Sequence, residues 1–177
     1  YINGAASNYS DQVDSIFQVI DLSMSTYVPA SVISKTNQHD TNVVVDHHFI
    51  NVFNKAWEVS EKTNGLFDIT VGPVINAWGF GFSKKEKVDS SMIDSLLINV
   101  GYSLVQIANN KLIKKKPGVM LDFNAIAQGY TVDVLAAFLE EKNIHDYLIE
   151  LGGEVKAKGN WRVQRLIAHE GDEVVGY

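Results

Sequence analysis

The sequence contains no cysteine. That excludes a disulfide-stapled scaffold, a thiolate metal site and a cysteine nucleophile. Positive charge is in short supply: 15 Lys and Arg face 21 Asp and Glu, for a formal net charge of −6. An acidic chain repels nucleic-acid phosphates unless a local basic patch overrides the total. The one dense basic run, Lys111, Lys114, Lys115 and Lys116, has no interleaved aromatics and adjoins a turn. It reads as a solvated hairpin edge, where lysines guard against strand addition, and no nucleic-acid partner is expected. No apolar run approaches the ~20 residues of a membrane span, and no signal-peptide pattern opens the chain, although a processed signal leaves no trace. Repeats, low-complexity linkers, a GxSxG elbow and a Ser-His-Asp arrangement are also missing.

What is present suits one globular domain. The 177 residues are 46% hydrophobic and 20% charged, enough to bury most of the unfolded surface without staples. Residues 11 to 24 read as a helix, since Val13, Ile16, Phe17 and Ile20 fall on one face, with Ser10 as the expected N-cap. Residues 23 to 37 are rich in Ser and Thr, are broken by Pro29, and read as a loop holding at most a short helical turn. A second helix is predicted over 47 to 64, burying Phe49, Val52, Phe53, Ala56 and Trp57 and stopping at Asn64-Gly65. A short helix follows from Ser90 to Asn99, then a hairpin over 103 to 116 turning at Asn109-Asn110. Val119 to Phe123 reads as a strand, and about 130 to 142 as a helix facing inward through Val134, Leu135, Phe138 and Leu139. Strands at Tyr147 to Leu151 and Glu154 to Lys158 flank a Gly152-Gly153 turn or bulge. The sum is an α+β domain, a mostly antiparallel sheet packed with helices.

Three segments carry chemical content, each with two readings. From Gly65 to Gly81, glycines beside Trp78 and Phe80 let a backbone approach a flat ligand while rings cover it; the same letters also suit a core loop that only buries area. In Leu121 to Tyr130, Asp122 and Asn124 stand at a strand-to-helix junction whose N–H groups can hold a phosphate, or Asp122 simply caps the helix. In Glu150 to Glu154, two carboxylates flank Gly152-Gly153; the glycines free N–H groups for an anion or form a bulge with exposed glutamates. The five histidines (39, 47, 48, 145 and 169) lack metal-ligand spacing and are expected at the surface.

Taken together, the segments are more specific. Ser25-Thr26-Tyr27, then Ser31 and Asn37, resembles the STYxxxS…N segment of the ApbE family. GLFDITVGPVINAWGFG at 65 to 81 resembles that family's GxFDxTVGPLVxxWGFG almost letter for letter. VGY at 100 to 102, LDFNAIAQGYTVD at 121 to 133 and YLIELGGEVKAKG at 147 to 159 are similar to its later motifs, and Trp161 fits the tryptophan beyond them. The resemblance runs from about 13 to 163.

It implies an ApbE-like, T-fold-related architecture and an FAD:protein FMN transferase. Such an enzyme cleaves the FAD pyrophosphate with Mg²⁺, passes FMN to a Thr or Ser hydroxyl as a phosphoester, and releases AMP. A metal-dependent FAD pyrophosphatase and a non-catalytic FAD-binding protein are the alternatives. The resemblance also implies an acceptor protein like a flavin-carrying subunit of a membrane redox pump. It further implies an exported, periplasmic or inner-membrane-anchored location, often through a lipid anchor. By the same token Met24, Tyr27, Trp78, Gly79 and Phe80 would line the flavin and adenine pockets. Asn37, Asp122, Asn124, Gln128, Glu150 and Gly153 would reach the polar parts of FAD. The carbonyl of Ala127, or else of Ala125, would ligate the metal, which needs hard oxygen donors. No catalytic side chain is singled out.

Three departures bear on this. Gln128 stands where many members have lysine, which removes a cation beside the phosphates. Ala30 and Val32 replace common acidic residues. After Trp161 nothing matches the family's C-terminal part, which completes the metal site with an Asp and a Thr or Ser. The chain is therefore expected to be one flavin-transferase domain, 1 to 177, incomplete at its C-terminus.

Overall fold

The computed structural model describes residues 1–2, 7–40, 42–79, 89–162, 166–168 and 174–176. The chain divides into two compact units: Tyr9–Thr131, and Tyr1–Asn8 together with Val132–Tyr177.

The larger unit is built on helices α1 (Ser10–Met24), α2 (Val32–Asn37) and α3 (His47–Lys62). One carboxylate organises two of them. Asp46 caps α3 by accepting from the Phe49 N–H, and the same oxygen accepts the Ser23 hydroxyl from the end of α1, both at 2.9 Å. A cap of this kind satisfies a helix-start N–H that would otherwise lack a partner. Phe49, Val52, Phe53 and Ala56 are buried along α3, together with Ile20 and Met24 of α1. Helix α3 ends as expected. Asn64 and Gly65 take positive φ (53° and 81°), and the Gly65 N–H returns to the Ser60 carbonyl at 2.8 Å.

Short elements follow: α4 (Gly72–Ala77), α5 (Ser90–Leu97), and the antiparallel pair β1 (Val105–Ala108) and β2 (Lys111–Lys114). That hairpin turns at Asn109 and Asn110, with φ of 51° and 55°, the conformation for which asparagine suits a two-residue turn. Helix α6 (Asn124–Glu141) runs from the larger unit into the smaller. The smaller unit pairs β3 (Tyr147–Leu151) with β4 (Glu154–Lys158), antiparallel, around a core of Ala136, Leu139 and Tyr147. The backbones of β5 (Leu166–Ala168) and β6 (Val174–Gly176) pair likewise. Every named strand pair is antiparallel, and the class is α+β.

Four expectations shift. Ser10 is the first residue of α1, and Tyr9, at the cap position, makes no side-chain cap bond. The Ser/Thr-rich stretch holds a real helix, α2, because Ser31 caps it by accepting from the Ser34 N–H at 3.1 Å. Val119 to Phe123 belongs to no sheet; it makes one parallel bridge, Met120 to Val71. Helix α6 starts six residues early and carries Gly129 inside it, since the Phe123 carbonyl accepts from both Ile126 and Ala127.

The bridge at Met120 requires a glycine next door. A Cβ on Gly72 would lie 2.7 Å from the Met120 carbonyl oxygen. Gly72→Ala is therefore expected to destabilise the protein by about 1–3 kcal/mol, despite alanine's better helix propensity. Urea unfolding checks this; an unchanged midpoint would mean that the Met120 backbone yields without cost.

Candidate functional site

The family-like segments are largely tied by hydrogen bonds to backbone. In the first, the Ser31 hydroxyl donates to the Ser25 carbonyl at 2.7 Å. Ser34 reaches the carbonyls of Ser25 and Thr26 at 3.4 and 3.3 Å. These bonds fold the turn 25–31 onto the start of α2. In the second, one Asp68 oxygen accepts from the Thr70 N–H and hydroxyl, at 2.7 and 2.6 Å. The other accepts from the Tyr102 N–H at 2.6 Å, while Thr70 Oγ1 accepts from the Gly101 N–H at 2.7 Å. The FDIT and VGY motifs are thus two halves of one network.

Asn37 makes the most consequential contact. Its Nδ2 donates to the Leu121 carbonyl and its Oδ1 accepts from the Leu121 N–H, both at 2.8 Å. The amide side chain pairs with the backbone as a neighbouring strand would. Next to it, the Asp122 N–H donates to the Ile69 carbonyl at 2.8 Å. Three segments far apart in sequence are thereby drawn around one cavity of about 290 Å³. Thr26, Pro29, Ser34, Asn37 and Gln38 form one wall, Gly72 and Asn76 another, and Met120, Leu121 and Asp122 the third.

Asp122 is the ionisable group of that lining. Its carboxylate accepts from the Asn124 N–H at 2.8 Å and from Asn124 Nδ2 at 3.1 Å. Burial pushes its pKa above the usual 3.8, and the Asn124 N–H opposes the shift. With Asn124, Ile126 and Ala127 all donating to internal acceptors, the start of α6 offers little to a phosphate. Asp122 thus caps the Asn124 N–H while also lining the cavity.

The other expected residues are distributed as follows. Met24 is buried, at 3% exposure, whereas Tyr27 and Trp78 stand 63% and 48% exposed. Gly79 follows Trp78 with φ of 81°, and Phe80 lies outside the described residues. Ala125 and Gln128 are exposed on α6. The Ala127 carbonyl accepts the Thr131 hydroxyl at 2.7 Å. In the smaller unit Gly152 and Gly153 form a turn at φ 57° and 96°, and the Gly153 N–H donates to the Glu150 carboxylate at 2.9 Å. Among the described residues no group of three His, Asp or Glu stands close enough to hold a metal ion. The Ala127 carbonyl is a hard oxygen of the kind magnesium takes alongside its own waters.

Two surface expectations need correction. Lys114 is half-buried, its ammonium donating to the Thr36 carbonyl at 2.7 Å, and Lys116 donates to the Ile98 carbonyl at 2.8 Å. The run thus ties β2 and its sequel to neighbouring helices as well as guarding an edge. His48 is also half-buried, with Nδ1 2.8 Å from the Tyr130 hydroxyl. Burial, then the neighbouring His47, lowers its pKa. His169 lies outside the described residues. Of the cavity lining, sequence reasoning named Asn37 and Asp122 and missed Thr26, Pro29, Ser34, Gln38, Gly72, Asn76, Met120 and Leu121. Asn76 and Met120 had a usable signal, since both lie in or beside the matched segments.

The family model that matches this chain is that of the ApbE family, over residues 2–171. Among curated relatives, the chain is 32% identical over 167 residues to the FAD:protein FMN transferase of Haemophilus influenzae, covering 89% of this chain and 48% of that one. It is 32% identical over 152 residues to that of Vibrio cholerae, covering 84% and 46%. The flavin transferase ApbE from Vibrio cholerae superposes with a TM-score of 0.90 at 28% identity, over 100% of this chain and 61% of that structure. The apo form of the Pseudomonas stutzeri flavinyl transferase ApbE gives 0.84 at 26% identity, over 93% and 56%. The chain spans about half the length of the curated relatives it matches.

Two variants test the cavity wall. Asn37→Ala leaves a buried N–H and C=O of Leu121 unpaired, and should cost about 1–3 kcal/mol of unfolding free energy. Asp122→Asn should raise the melting temperature at neutral pH. A carboxyl whose folded pKa is raised favours the native state while protonated and loses that contribution as pH rises through the folded value. The gap between variant and parent should close as pH falls below 3.8; a gap independent of pH would refute the assignment to this carboxyl.

Proposed function

Because the chain belongs to the ApbE family, we propose that it serves FMN transfer from FAD to a Thr or Ser hydroxyl of an acceptor protein. In that reaction the hydroxyl oxygen bonds to the FMN phosphorus. The bond from that phosphorus to the bridging oxygen breaks, and AMP leaves with the bridging oxygen while the hydroxyl proton passes to a base. The observation that carries the reading is the meeting of three family segments around one cavity, through Ser34 and Asn37, Gly72 and Asn76, and Met120 to Asp122.

The lining suits part of a dinucleotide. At about 290 Å³ the cavity is at the small end for ligand sites, with room for a ring system or nucleoside portion. Pro29 and Met120 give it apolar walls, and Asn76 and Ser34 give it hydrogen-bonding groups. The Asp122 carboxylate can accept from a ring N–H or a sugar hydroxyl. The exposed rings of Tyr27 and Trp78 suit stacking on a flat heterocycle. Tyr27 adjoins Thr26 of one wall, and Trp78 caps the helix that carries Gly72 and Asn76.

Magnesium is the cation of the proposal; when bound it would neutralise charge on the pyrophosphate. Its support is the family resemblance and the chemistry of the substrate. The same resemblance supports an acceptor like a flavin-carrying subunit of a membrane redox pump, an exported or membrane-anchored location, and one flavin-transferase domain over residues 1–177.

The test is to incubate the protein with FAD and Mg²⁺, with and without a threonine-bearing acceptor domain, while following AMP release and flavin fluorescence on a denaturing gel. A fluorescent acceptor band lost on chelation is the expected result. Free FMN and AMP without labelling would replace transfer by FAD hydrolysis. Intact bound FAD would leave a flavin-binding protein without turnover.

A further inference from the structure

Helix α2 has two working faces. Ser34 and Asn37, three residues apart and so on one side, line the cavity described above. Thr36, on the opposite side, lines a second cavity of about 430 Å³ together with His39, Asp40, Val43, Lys111, Leu112, Ile113, Lys114 and Pro117. This second cavity shares no lining residue with the first. Val43, Leu112, Ile113 and Pro117 make it substantially apolar.

Lys114 is the notable group there. Its ammonium is half-buried and donates to the Thr36 carbonyl, which leaves two of its three N–H donors for other acceptors. Among the described residues it has no ion pair. A partly desolvated cation beside an apolar wall favours an anion that brings its own apolar body, because one contact offsets the charge and the other buries area.

We propose that this second cavity is a binding site for a small organic carboxylate, its carboxylate paired with Lys114 and its aliphatic or aromatic body against Val43, Leu112 and Pro117. The site is independent of the flavin reading. The other titratable groups facing it are His39 and Asp40, just beyond α2, and Lys111 on β2. Asp40 disfavours a polyanion, and its own carboxylate is engaged by the Asn42 N–H at 2.9 Å. Burial alone brings Lys114 down to about 8, so carboxylate binding should be retained at neutral pH and fall as pH rises beyond that value.

The probe is hexanoate, titrated into the protein and followed by amide chemical shifts, with hexanamide and inorganic phosphate as controls. The expected outcome is saturable binding with a Kd of about 1 mM or tighter, with shifts at residues 36–40 and 111–114. Hexanamide and phosphate should bind at least about tenfold more weakly. Lys114→Met should weaken hexanoate at least about tenfold, and Lys114→Arg should retain it. Where Lys114→Met fails to fold, the pH profile of the unaltered protein decides. A midpoint near 8 or above supports Lys114, and a midpoint below neutrality assigns the anion to another group and overturns the proposal. Equal binding of hexanamide, tighter binding of phosphate, or no saturation by hexanoate would also overturn it.

Discussion

An amide side chain pairing with a backbone holds this structure's working part together. Asn37 offers Leu121 one donor and one acceptor, both at 2.8 Å, and so does the work of a missing neighbouring strand. Residues 119–123 belong to no sheet, yet nearly everything around the cavity is attached to them. Val71 bridges to Met120, Ile69 accepts from Asp122, and the ring of Phe123 packs edge-on against Phe49 with centroids 5.0 Å apart. An isolated extended segment buried at Val119, Leu121 and Phe123 must find partners for its polar backbone. Here they come from a helix end on one side and a loop on the other.

The letters that identify the family are mostly occupied with this scaffolding. Ser31, Asp68 and Thr70 spend their oxygens largely on backbone groups of their own or neighbouring loops. Ser31 and Thr70 are fully buried. Gly72 is present because a methyl group would strike the Met120 carbonyl. Polar residues that fix loops by charge-assisted or buried hydrogen bonds hold a cavity's outline to within small displacements. Of the groups lining the cavity, Asp122 is the ionisable one.

Much of this was legible in the sequence where a single physical signal dominates. Helices α1 and α3 announce themselves by apolar period, and Asn64-Gly65 and Asn109-Asn110 by their tolerance of positive φ. Four features were not legible because a non-local bond decides them. Helix α2 is too polar to show a stripe and is held by its Ser31 cap. Residues 119–123 have the apolar look of a strand but pair through a side chain. The start of α6 is set by Asp122 and Phe123 rather than by the glycine that draws the eye. Lys114 sits in a run that reads as solvated, yet its ammonium turns inward to Thr36. The cavity itself was legible only as a resemblance: Asn37 and Asp122 were named, but nothing local in the chain says that they share a wall.

The Asn37–Leu121 pairing joins residues 84 apart in sequence, and that separation has a consequence for biogenesis. At ribosomal rates of about 5–20 residues per second, roughly 4–17 s separate the polymerisation of Asn37 from that of Leu121. Throughout that interval the Asn37 amide lacks its Leu121 partner, and the cavity lacks its third wall. Local helices can form early, since their contacts are short-range, whereas closing a loop of this length costs entropy that only the long-range pair repays. This cavity is therefore among the last parts of the larger unit to mature, and a nascent chain arrested before residue 121 would hold its early helices without the cavity's third wall.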